Sequence, residues 1–319
     1  MKIILPGGKG QVGQMLVRAF RSEGHTCVVL TRHPSPGKGE AAWDGRTLGP
    51  WTTELEGADA VINLAGRSVD CRYTRSNLAR MMASRVDSTR VIGLAIAQAK
   101  NPPRVWLQAA TATIYAHRFD APNDEETGLI GGHEPGVPAL WGRSIDIARA
   151  WEGEVAAAPT PRTRKVILRS AMTMSPDRGG VFHVLATLCR LGVGRQGDGR
   201  QYVSWIHEHD FVAAVRFLIA REDLAGAFNL AAPRPLPNHE FMAGLRAALG
   251  RRVGVPVPRW ALETGAFFLR TETELILKSR RVVPGRLLKR GFNFRYPDWC
   301  PAATELVVRW RVNAKTENT

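Results

Sequence analysis

Three glycines spaced three residues apart, Gly7, Gly10 and Gly13, stand near the start of the chain. An apolar run over residues 2–5 precedes them, and a segment with helical periodicity, residues 11–21, follows. In a strand–turn–helix unit such glycines permit a tight turn, let the backbone approach a pyrophosphate and let the helix pack on the strand. The free amide N–H groups that begin the helix would bind the phosphates. The alternative is a tight turn that binds no ligand.

The next strand is predicted over residues 25–31, with Thr31 and Arg32 at its tip. An NAD site usually has Asp or Glu at this place, which accepts a hydrogen bond from the ribose 2′-hydroxyl. Arginine cannot accept one, but its guanidinium can bind a 2′-phosphate. Lys9 in the glycine turn adds a second positive charge. We therefore predict NADP(H) rather than NAD(H); the alternative is that Arg32 is a solvated loop residue.

The elements that must position these residues alternate between strands and helices. Apolar, strand-like runs continue at residues 58–66, 104–110, 165–169 and 228–230, and helical patterns fill 77–98, 141–158 and 210–220. This alternation predicts an α/β fold: a Rossmann-type, doubly wound parallel sheet with helices on both faces, which binds ligands at the carboxyl ends of its strands.

The chain changes character beyond residue 172. A glycine-rich connection is predicted at 192–201, a short strand at 202–206 and a linker at 233–237, followed by helices to residue 311 and a frayed tail from 313. We therefore predict two units. Residues 1–172 and 203–230 would form an NADP-binding Rossmann domain. Residues 173–202 and 231–319 would form a smaller, mostly helical lobe of the substrate-binding type.

Composition and charge narrow the class of protein. The net charge is +15, which invites a nucleic-acid or anionic-membrane hypothesis, but the excess is spread along the chain. It is densest at residues 278–295, which we interpret as solvated faces; the alternative is a surface for an anionic substrate, a partner or a membrane. The four cysteines are far apart and form no CxxC pair, as is typical of reduced thiols. We expect a cytoplasmic protein without a transmembrane segment, and we do not expect nucleic-acid binding.

A family resemblance rests on motifs that occur in order along residues 1–310. They are Gly7-x-x-Gly10-x-x-Gly13, Leu30-Thr31-Arg32, Val61-Ile-Asn-Leu-Ala-Gly66, Ser84-Arg85 with Thr89, Trp151-Glu152, Ser204-Trp-Ile-His207 with Asp210, Pro237-Asn238 with Phe241, Arg281-Val-Val-Pro284 and Gly291-Phe-Asn-Phe294. With them the chain resembles the extended short-chain dehydrogenase/reductase superfamily. Within that superfamily it is similar to the atypical epimerase-like family that ends in a domain of unknown function.

The resemblance implies NADP(H) binding by the Rossmann domain and a homodimer that forms through the helices predicted at 77–98 and 141–158. We predict that residues at the ends of neighbouring strands bind the cofactor. They are Gly7, Gly8, Lys9, Gly10, Gln11, Val12, Gly13, Thr31, Arg32, Leu64, Ala65, Gly66, Ala109, Ala110 and Arg169.

The resemblance also implies a catalytic Ser or Thr and a Tyr-x-x-x-Lys pair. Thr111, four residues before Tyr115, fits the first place, and we predict that these two residues are catalytic. Trp141 and Ile145 stand where the Tyr and the Lys of the pair should be. None of the four tyrosines is followed four residues later by Lys, so the pair is absent from the chain. Losing a positioned general acid typically lowers the rate by ~10²–10⁴, which puts ordinary redox chemistry of this superfamily in doubt.

The sequence offers further charged and aromatic candidates for this site. We interpret Glu125, Glu126 and Arg143 as solvated residues, and we predict that Trp141, Trp205 and His207 edge a substrate cleft. The run His207-Glu-His-Asp210 invites a metal hypothesis, but no further ligand cluster is visible, and a helix N-cap at Asp210 explains it better. We predict no metal site.

Two functional hypotheses follow from these patterns. The first is an NADP(H)-binding oxidoreductase or epimerase that lacks the usual Tyr and Lys and acts on an unknown substrate, such as a nucleotide sugar or a carbonyl compound. The second is a non-catalytic, NADP(H)-dependent sensor or scaffold that acts on a protein partner.

Overall fold

The computed structural model describes residues 1–132, 134–268 and 271–316. In chain order its strands are β1 (Lys2–Pro6), β2 (Thr26–Thr31), β3 (Glu40–Ala42), β4 (Ala60–Asn63), β5 (Val105–Thr111), β6 (Arg164–Ser170), β7 (Met172–Met174), β8 (Val193–Gln196), β9 (Tyr202–Val203), β10 (Trp205–His207), β11 (Gly226–Leu230), β12 (Leu236–Pro237) and β13 (Val255–Val257). Its α-helices are α1 (Gln11–Ser22), α2 (Arg75–Gln98), α3 (Ala139–Ala157), α4 (Val181–Arg190), α5 (Glu208–Ala220), α6 (Asn238–Ala248), α7 (Arg259–Phe268), α8 (Glu274–Leu277), α9 (Gly285–Lys289) and α10 (Trp299–Thr316).

Seven parallel strands form the central sheet, in the order β11-β6-β5-β4-β1-β2-β3. Their apolar side chains point to both faces, where they pack on helices. Leu16 of α1 and Phe211 of α5 belong to the core on one face, and Ile92 of α2 and Val155 of α3 to the core on the other. The predicted Rossmann-type α/β fold with helices on both faces is therefore confirmed. The short edge strand β3 was not predicted.

The strand order reverses at β1. The chain runs outward from β1 to β2 and β3 on one side, then returns to β4, β5, β6 and β11 on the other. The crevice between the carboxyl ends of β1 and β4 is thus the topological switch point, the place where open α/β sheets bind ligands. The glycine turn lies directly at this crevice.

A second core lies among the C-terminal helices. It contains Phe182 of α4, Phe241 and Met242 of α6, and Trp299 and Leu306 of α10. The C-terminal part is mostly helical, as predicted, with three two-stranded sheets beside the helices. The division of the chain into two domains at the predicted residues stays a prediction. Leu287 and Phe292, which the predicted boundaries assign to the C-terminal lobe, pack into the core of the central sheet.

Several local predictions were wrong. The single strand predicted over 202–206 is two strands, β9 and β10, which pair with different partners, and the connection at 192–201 contains strand β8. Helix α10 continues through most of the tail that was expected to fray; residues 317–319 lie outside the described part. No described helix is long and apolar enough to cross a membrane.

Part of the basic segment 278–295, which we predicted to form solvated faces, is buried instead. Lys278 is 1% exposed. Arg286 donates to the Ala227 carbonyl oxygen in β11, and the Lys289 ammonium pairs with Glu126 at 2.5 Å. Many of these cations therefore join the C-terminal part to loops of the central sheet.

Candidate functional site

The glycine turn connects the ends of three neighbouring strands. Gly7 adopts a φ of +75°, which favours glycine, and its N–H donates to the Leu30 carbonyl oxygen at the end of β2. A Cβ atom on Gly7 would lie 2.7 Å from Ala65 Cα, in the loop that follows β4. No side chain fits there, so the turn is held against both neighbouring strands.

Gly13 and Gly10 serve different purposes in the turn. A Cβ atom on Gly13 would lie 2.4 Å from Gly8 Cα, so only glycine lets α1 start this close to the turn. A Cβ atom on Gly10 would lie 3.7 Å from its nearest neighbour, the Gly7 carbonyl oxygen, which is an ordinary van der Waals distance. The protein leaves this side of the turn open, and α1 begins there without a side-chain cap on its first N–H groups. The buried Nε2 of Gln11 also has no hydrogen-bond partner among the described residues.

Buried amides shape the loop after β4. Asn63 donates from Nδ2 to Gln108 Oε1 at 3.0 Å in the neighbouring strand, and its Oδ1 accepts from the Ala65 N–H at 3.1 Å. Trp106 Nε1 also donates to Gln108 Oε1. These bonds turn the chain out of the sheet at Leu64, so that the predicted cofactor loop of Leu64, Ala65 and Gly66 faces the glycine turn. Ala109 and Ala110 lie beside it at the end of β5.

The tip of β2 borders a cavity of about 400 Å³. Arg32 lines it, and no other described residue forms a hydrogen bond or ion pair with the Arg32 guanidinium. Trp43 and Trp51, which pack edge to face with ring centroids 5.7 Å apart, form its aromatic wall. Sequence reasoning missed this wall, because residues 43–51 were assigned to no element.

The Lys9 ammonium, predicted to add a second positive charge near Arg32, is paired within the protein. Its ammonium pairs with the Glu40 carboxylate at 2.8 Å and donates to the His33 carbonyl oxygen at 2.5 Å. The hydrogen bond from Lys9 lowers the pKa of Glu40. Lys9 therefore fastens the turn to the start of β3, and Arg32 is the unpaired cation at this end of the crevice.

Tyr115 and Arg169 hold each other in the core, so neither has its predicted role. Tyr115 is 2% exposed; its hydroxyl donates to Asn229 Oδ1 and accepts from Arg169 Nη1, both at 2.9 Å. Burial raises the pKa of Tyr115. Arg169 also forms two hydrogen bonds to the Glu152 carboxylate, at 2.8 and 2.7 Å. Tyr115 is consequently not available as a proton donor, and the Arg169 guanidinium is committed to Glu152 and Tyr115 rather than to a cofactor.

Thr111 ends β5 at the same edge of the sheet as the glycine turn, and its Oγ1 accepts from the Thr113 N–H at 3.1 Å. At the positions of the missing Tyr and Lys, Trp141 packs on the His117 ring and Ile145 is buried. Neither side chain can exchange a proton with a substrate. The role of Thr111 stays a prediction.

Trp205 and His207 are core residues, contrary to the prediction that they edge a cleft. Trp205 has no exposed surface and packs on Trp299, with ring centroids 5.0 Å apart. His207 is 1% exposed, and its Nε2 lies 2.9 Å from a carboxylate oxygen of Glu305. Burial lowers the pKa of His207.

Asp210 is not a helix N-cap. Helix α5 begins at Glu208, and the His207 side chain caps it by accepting from the His209 N–H. Asp210 instead accepts hydrogen bonds from the N–H groups of Arg295 and Tyr296. Within the described ranges, no group of three His, Cys, Asp or Glu side chains could hold a metal ion.

Glu125, Glu126 and Arg143, the other charged residues considered for acid–base chemistry, all have partners within the protein. Glu125 is partly buried and accepts from the N–H groups of Asn229 and Arg286, so it is not the freely solvated residue that was predicted. Burial raises the pKa of Glu125. Glu126 pairs with Lys289 at the surface, and Arg143 with Asp146 one turn along α3.

A buried charged pair that sequence reasoning missed lies beside Thr113. The Lys278 ammonium donates to the Thr113 carbonyl oxygen at 2.9 Å and lies 3.5 Å from Glu274 Oε1, and both side chains are 0% exposed. Glu274 also accepts from Ser144 Oγ of α3 at 2.6 Å. Burial lowers the pKa of Lys278 to about 8. The only sequence signal was the i, i+4 spacing of a Glu and a Lys, which is usually a surface pair.

The sheet topology and the glycine turn together define a Rossmann-type α/β protein. The model of the NAD-dependent epimerase/dehydratase family matches residues 3–135, and that of a domain of unknown function, DUF1731, matches residues 257–306. The chain is thus similar to this epimerase family over its N-terminal part and to DUF1731 near its C-terminal end. The predicted family resemblance is thereby confirmed.

Relatives of the same length support the assignment. Epimerase family protein SDR39U1 of Homo sapiens is 29% identical over 311 residues, which are 96% of this chain and 100% of that protein. YfhF of Bacillus subtilis is 26% identical over 314 residues, covering 96% of this chain and 98% of the relative.

Two solved structures are similar over 96% of this chain. The human SDR39U1 structure, solved with NADPH, has a TM-score of 0.83 at 27% identity, and the match covers 99% of that chain. A nucleoside-diphosphate sugar epimerase from Corynebacterium glutamicum has a TM-score of 0.75 at 27% identity, with 58% of that chain covered.

Proposed function

We propose that this protein binds NADP(H) across the carboxyl edge of its central sheet, with the pyrophosphate at the Gly7–Gly13 turn. The observation that carries the proposal is the contrast between two glycines. Gly13 is required by the protein's own packing, whereas the space beside Gly10 is left open by the protein. A backbone that must stay bare beside uncapped helix N–H groups fits a pyrophosphate that approaches closely.

The tip of β2 supports the phosphate-bearing cofactor. Arg32 offers an unpaired guanidinium, which suits the 2′-phosphate, and the adjoining cavity of about 400 Å³ has an aromatic wall suited to the adenine ring. The human relative solved with NADPH has a similar fold over nearly the whole chain. The predicted sites at Leu64–Gly66 and at Ala109 and Ala110 flank the path between the turn and Thr111.

The reaction we propose is an oxidoreductase or epimerase reaction on a nucleotide-sugar or carbonyl substrate. Bound NADP(H) would supply or accept a hydride. Thr111 would orient the substrate oxygen by a hydrogen bond, as its position at the end of β5 allows. Trp141 and Ile145 would exclude water on the α3 side, because both are apolar and buried. Since neither replaces the missing general acid, we expect turnover about 10²–10⁴-fold below that of an enzyme with a positioned one.

Titration with NADPH and NADH, followed by cofactor fluorescence, tests the binding proposal. The native protein should bind NADPH in the micromolar range and more tightly than NADH. Arg32→Asp should reverse this preference, because it removes the phosphate ligand and adds a repelling charge. Lys38→Asp, an equal charge change at an exposed nearby position, should leave the ratio unchanged. Absence of saturable NADPH binding would overturn the proposal.

A second experiment tests turnover. Carbonyl compounds would be screened for oxidation of NADPH, measured by its absorbance, and nucleotide sugars for epimerised product, measured by chromatography. The proposed chemistry predicts slow turnover that Thr111→Ala abolishes while NADPH still binds. Activity that is the same in Thr111→Ala would show that this threonine does not orient the substrate.

A further inference from the structure

Arg85 in α2 holds a partly buried positive charge without a carboxylate partner among the described residues. Its Nη1 donates to the Met81 carbonyl oxygen at 3.2 Å, and no carboxylate of the described residues forms an ion pair with it. Burial lowers the pKa of Arg85 to about 10, so the fold disfavours the charge that the side chain carries. Buried charges in proteins are nearly always paired. An unpaired one indicates that its partner is a molecule other than the protein.

The guanidinium lies between the loop after β4 and helix α3. A Cβ atom on Gly66 would lie 3.3 Å from Arg85 Cζ and 3.5 Å from Nη2, so this glycine leaves room for the guanidinium. On the α3 side, Cζ lies 4.9 Å from the centroid of the Trp151 ring. This cation–π contact stabilises the charge without using its N–H donors. Of those donors, only the one on Nη1 bonds to a described residue.

This position borders the proposed cofactor crevice. Gly66 is the third residue of the loop whose second residue, Ala65, contacts Gly7 in the glycine turn. Arg85 therefore lies beside the crevice on the α2–α3 side, away from Arg32 at the tip of β2. The two unpaired guanidiniums are at different ends of the site. If NADP(H) occupies the path from Arg32 through the turn to Thr111, Arg85 is left for a second anionic group.

We propose that Arg85 binds an oxyanion, a carboxylate or a phosphate, of the substrate that lies beside the cofactor. The planar guanidinium can donate two parallel hydrogen bonds to either group, and its partly buried environment strengthens them. This inference rests on the proposed function, because it takes NADP(H) as the occupant of the glycine turn. It restricts the substrate to anionic molecules, nucleoside-diphosphate sugars and carboxylates among them.

The experiment compares Arg85→Gln and Arg85→Lys with Arg80→Gln. Arg80 is an exposed arginine on the same helix, so its variant makes the same charge change without touching the crevice. NADPH affinity is measured first for each protein by fluorescence titration. Inorganic phosphate and acetate are then titrated by calorimetry into each protein, both saturated with NADP⁺ and free of cofactor. Thermal unfolding without ligand serves as the control for folding.

The proposal predicts that phosphate or acetate binds the NADP⁺-saturated native protein, and that Arg85→Gln weakens this binding about 10-fold or more. The anion affinity of Arg85→Lys should lie between those of the native protein and Arg85→Gln, because lysine keeps the charge but loses the planar pair of donors. Arg80→Gln should bind the anion like the native protein. Arg85→Gln should also unfold no earlier than the native protein, since it removes an unpaired charge. Its NADPH affinity should stay within about twofold.

Three results would overturn the proposal. Equal loss of anion affinity in Arg85→Gln and Arg80→Gln would mean that only net charge matters. A large loss of NADPH affinity in Arg85→Gln, with phosphate competing against the cofactor, would assign the arginine to the cofactor's own phosphates. Absence of binding of both probes to the native protein would mean that the crevice takes no oxyanion. Failure of the proposed function would give a different result. In that case NADPH would not bind the native protein, whether or not the cofactor-free protein binds phosphate or acetate.

Discussion

Replacing Lys278 by methionine should destabilise the protein more than replacing Lys278 and Glu274 together. The two side chains are completely buried, with the ammonium 3.5 Å from the carboxylate. Lys278→Met leaves the Glu274 charge buried without its cation. The double variant, Glu274→Gln with Lys278→Met, removes both charges and keeps a hydrogen-bonding group beside Ser144.

The structure gives the size of the effect. At 3.5 Å and an effective dielectric constant of about 20, the attraction between the two charges is about 5 kcal/mol. Burial of the ammonium outweighs this attraction, because the pKa of Lys278 is about 8 even with the Glu274 carboxylate beside it. Removing one partner of such a pair typically costs about 3–5 kcal/mol, most of it from the charge left behind. We therefore expect a coupling energy of at least about 2 kcal/mol between the two substitutions.

The assay is urea unfolding of the native protein, both single variants and the double variant, followed by circular dichroism. The loss of unfolding free energy in the double variant should be smaller than the sum of the losses in the two single variants. The difference is the coupling energy. Effects that add within about 0.5 kcal/mol would refute the reasoning, because they would mean that the two groups are not electrostatically paired in the fold.

The pH dependence of the same variants has a definite sign. Between pH 8 and 10.5 the unfolded chain keeps the Lys278 proton that the folded chain has lost, so this group makes the native protein more stable as pH rises. The contribution is complete above pH 10.5 and is lost as pH falls through about 8. A plot of the difference in unfolding free energy between the native protein and Lys278→Met should rise by about 3 kcal/mol across this window. A flat difference would show that the lysine is not desolvated.

Two further predictions concern the turn and the buried tyrosine. Gly10→Ala should leave the thermal midpoint unchanged yet weaken NADPH binding more than about 10-fold, because its Cβ would enter only the proposed pyrophosphate space. Gly13→Ala should lower both, since its Cβ would lie 2.4 Å from Gly8; equal stability of the two variants would contradict this distinction. Tyr115→Phe should lower the free energy of unfolding by about 1–3 kcal/mol by leaving the Asn229 amide oxygen unpaired, without changing NADPH affinity in the fluorescence titration. Unchanged stability together with lost turnover would instead return Tyr115 to a catalytic role.

The fold and the cofactor half of the site could be predicted because their signals are local. A buried parallel strand is a short apolar run, and the glycine turn needs bare backbone at fixed spacing whatever surrounds it. Arg32 could be placed because the tip of the second strand is fixed by the same unit. These predictions depend on residues within about 30 positions of one another, which is the length of a strand–helix–strand unit.

The other half of the site depends on distant partners that no local pattern reveals. Tyr115 is held by Asn229, and His207 by Glu305, so the burial of each was decided by residues about a hundred positions away. The Glu274–Lys278 pair has the spacing of a surface pair, but it is buried, and Lys278 bonds to Thr113, 165 residues earlier in the chain. Because sequence separation hides such contacts, a tyrosine, a histidine or a lysine in the core cannot be told from one that faces a cleft.

The contacts between the C-terminal segment and the loop after β5 also set an order of events during synthesis. Glu125 accepts from the Arg286 N–H, and Lys278 donates to Thr113, over separations of 161 and 165 residues. At roughly 5–20 residues per second, the ribosome needs about 10–30 s to supply the later partner after the earlier one. The cofactor turn, whose contacts lie within the first 65 residues, can form during this interval. The proposed substrate side of the site can form only after residue 286 has been synthesised, and until then the loop after β5 lacks these contacts.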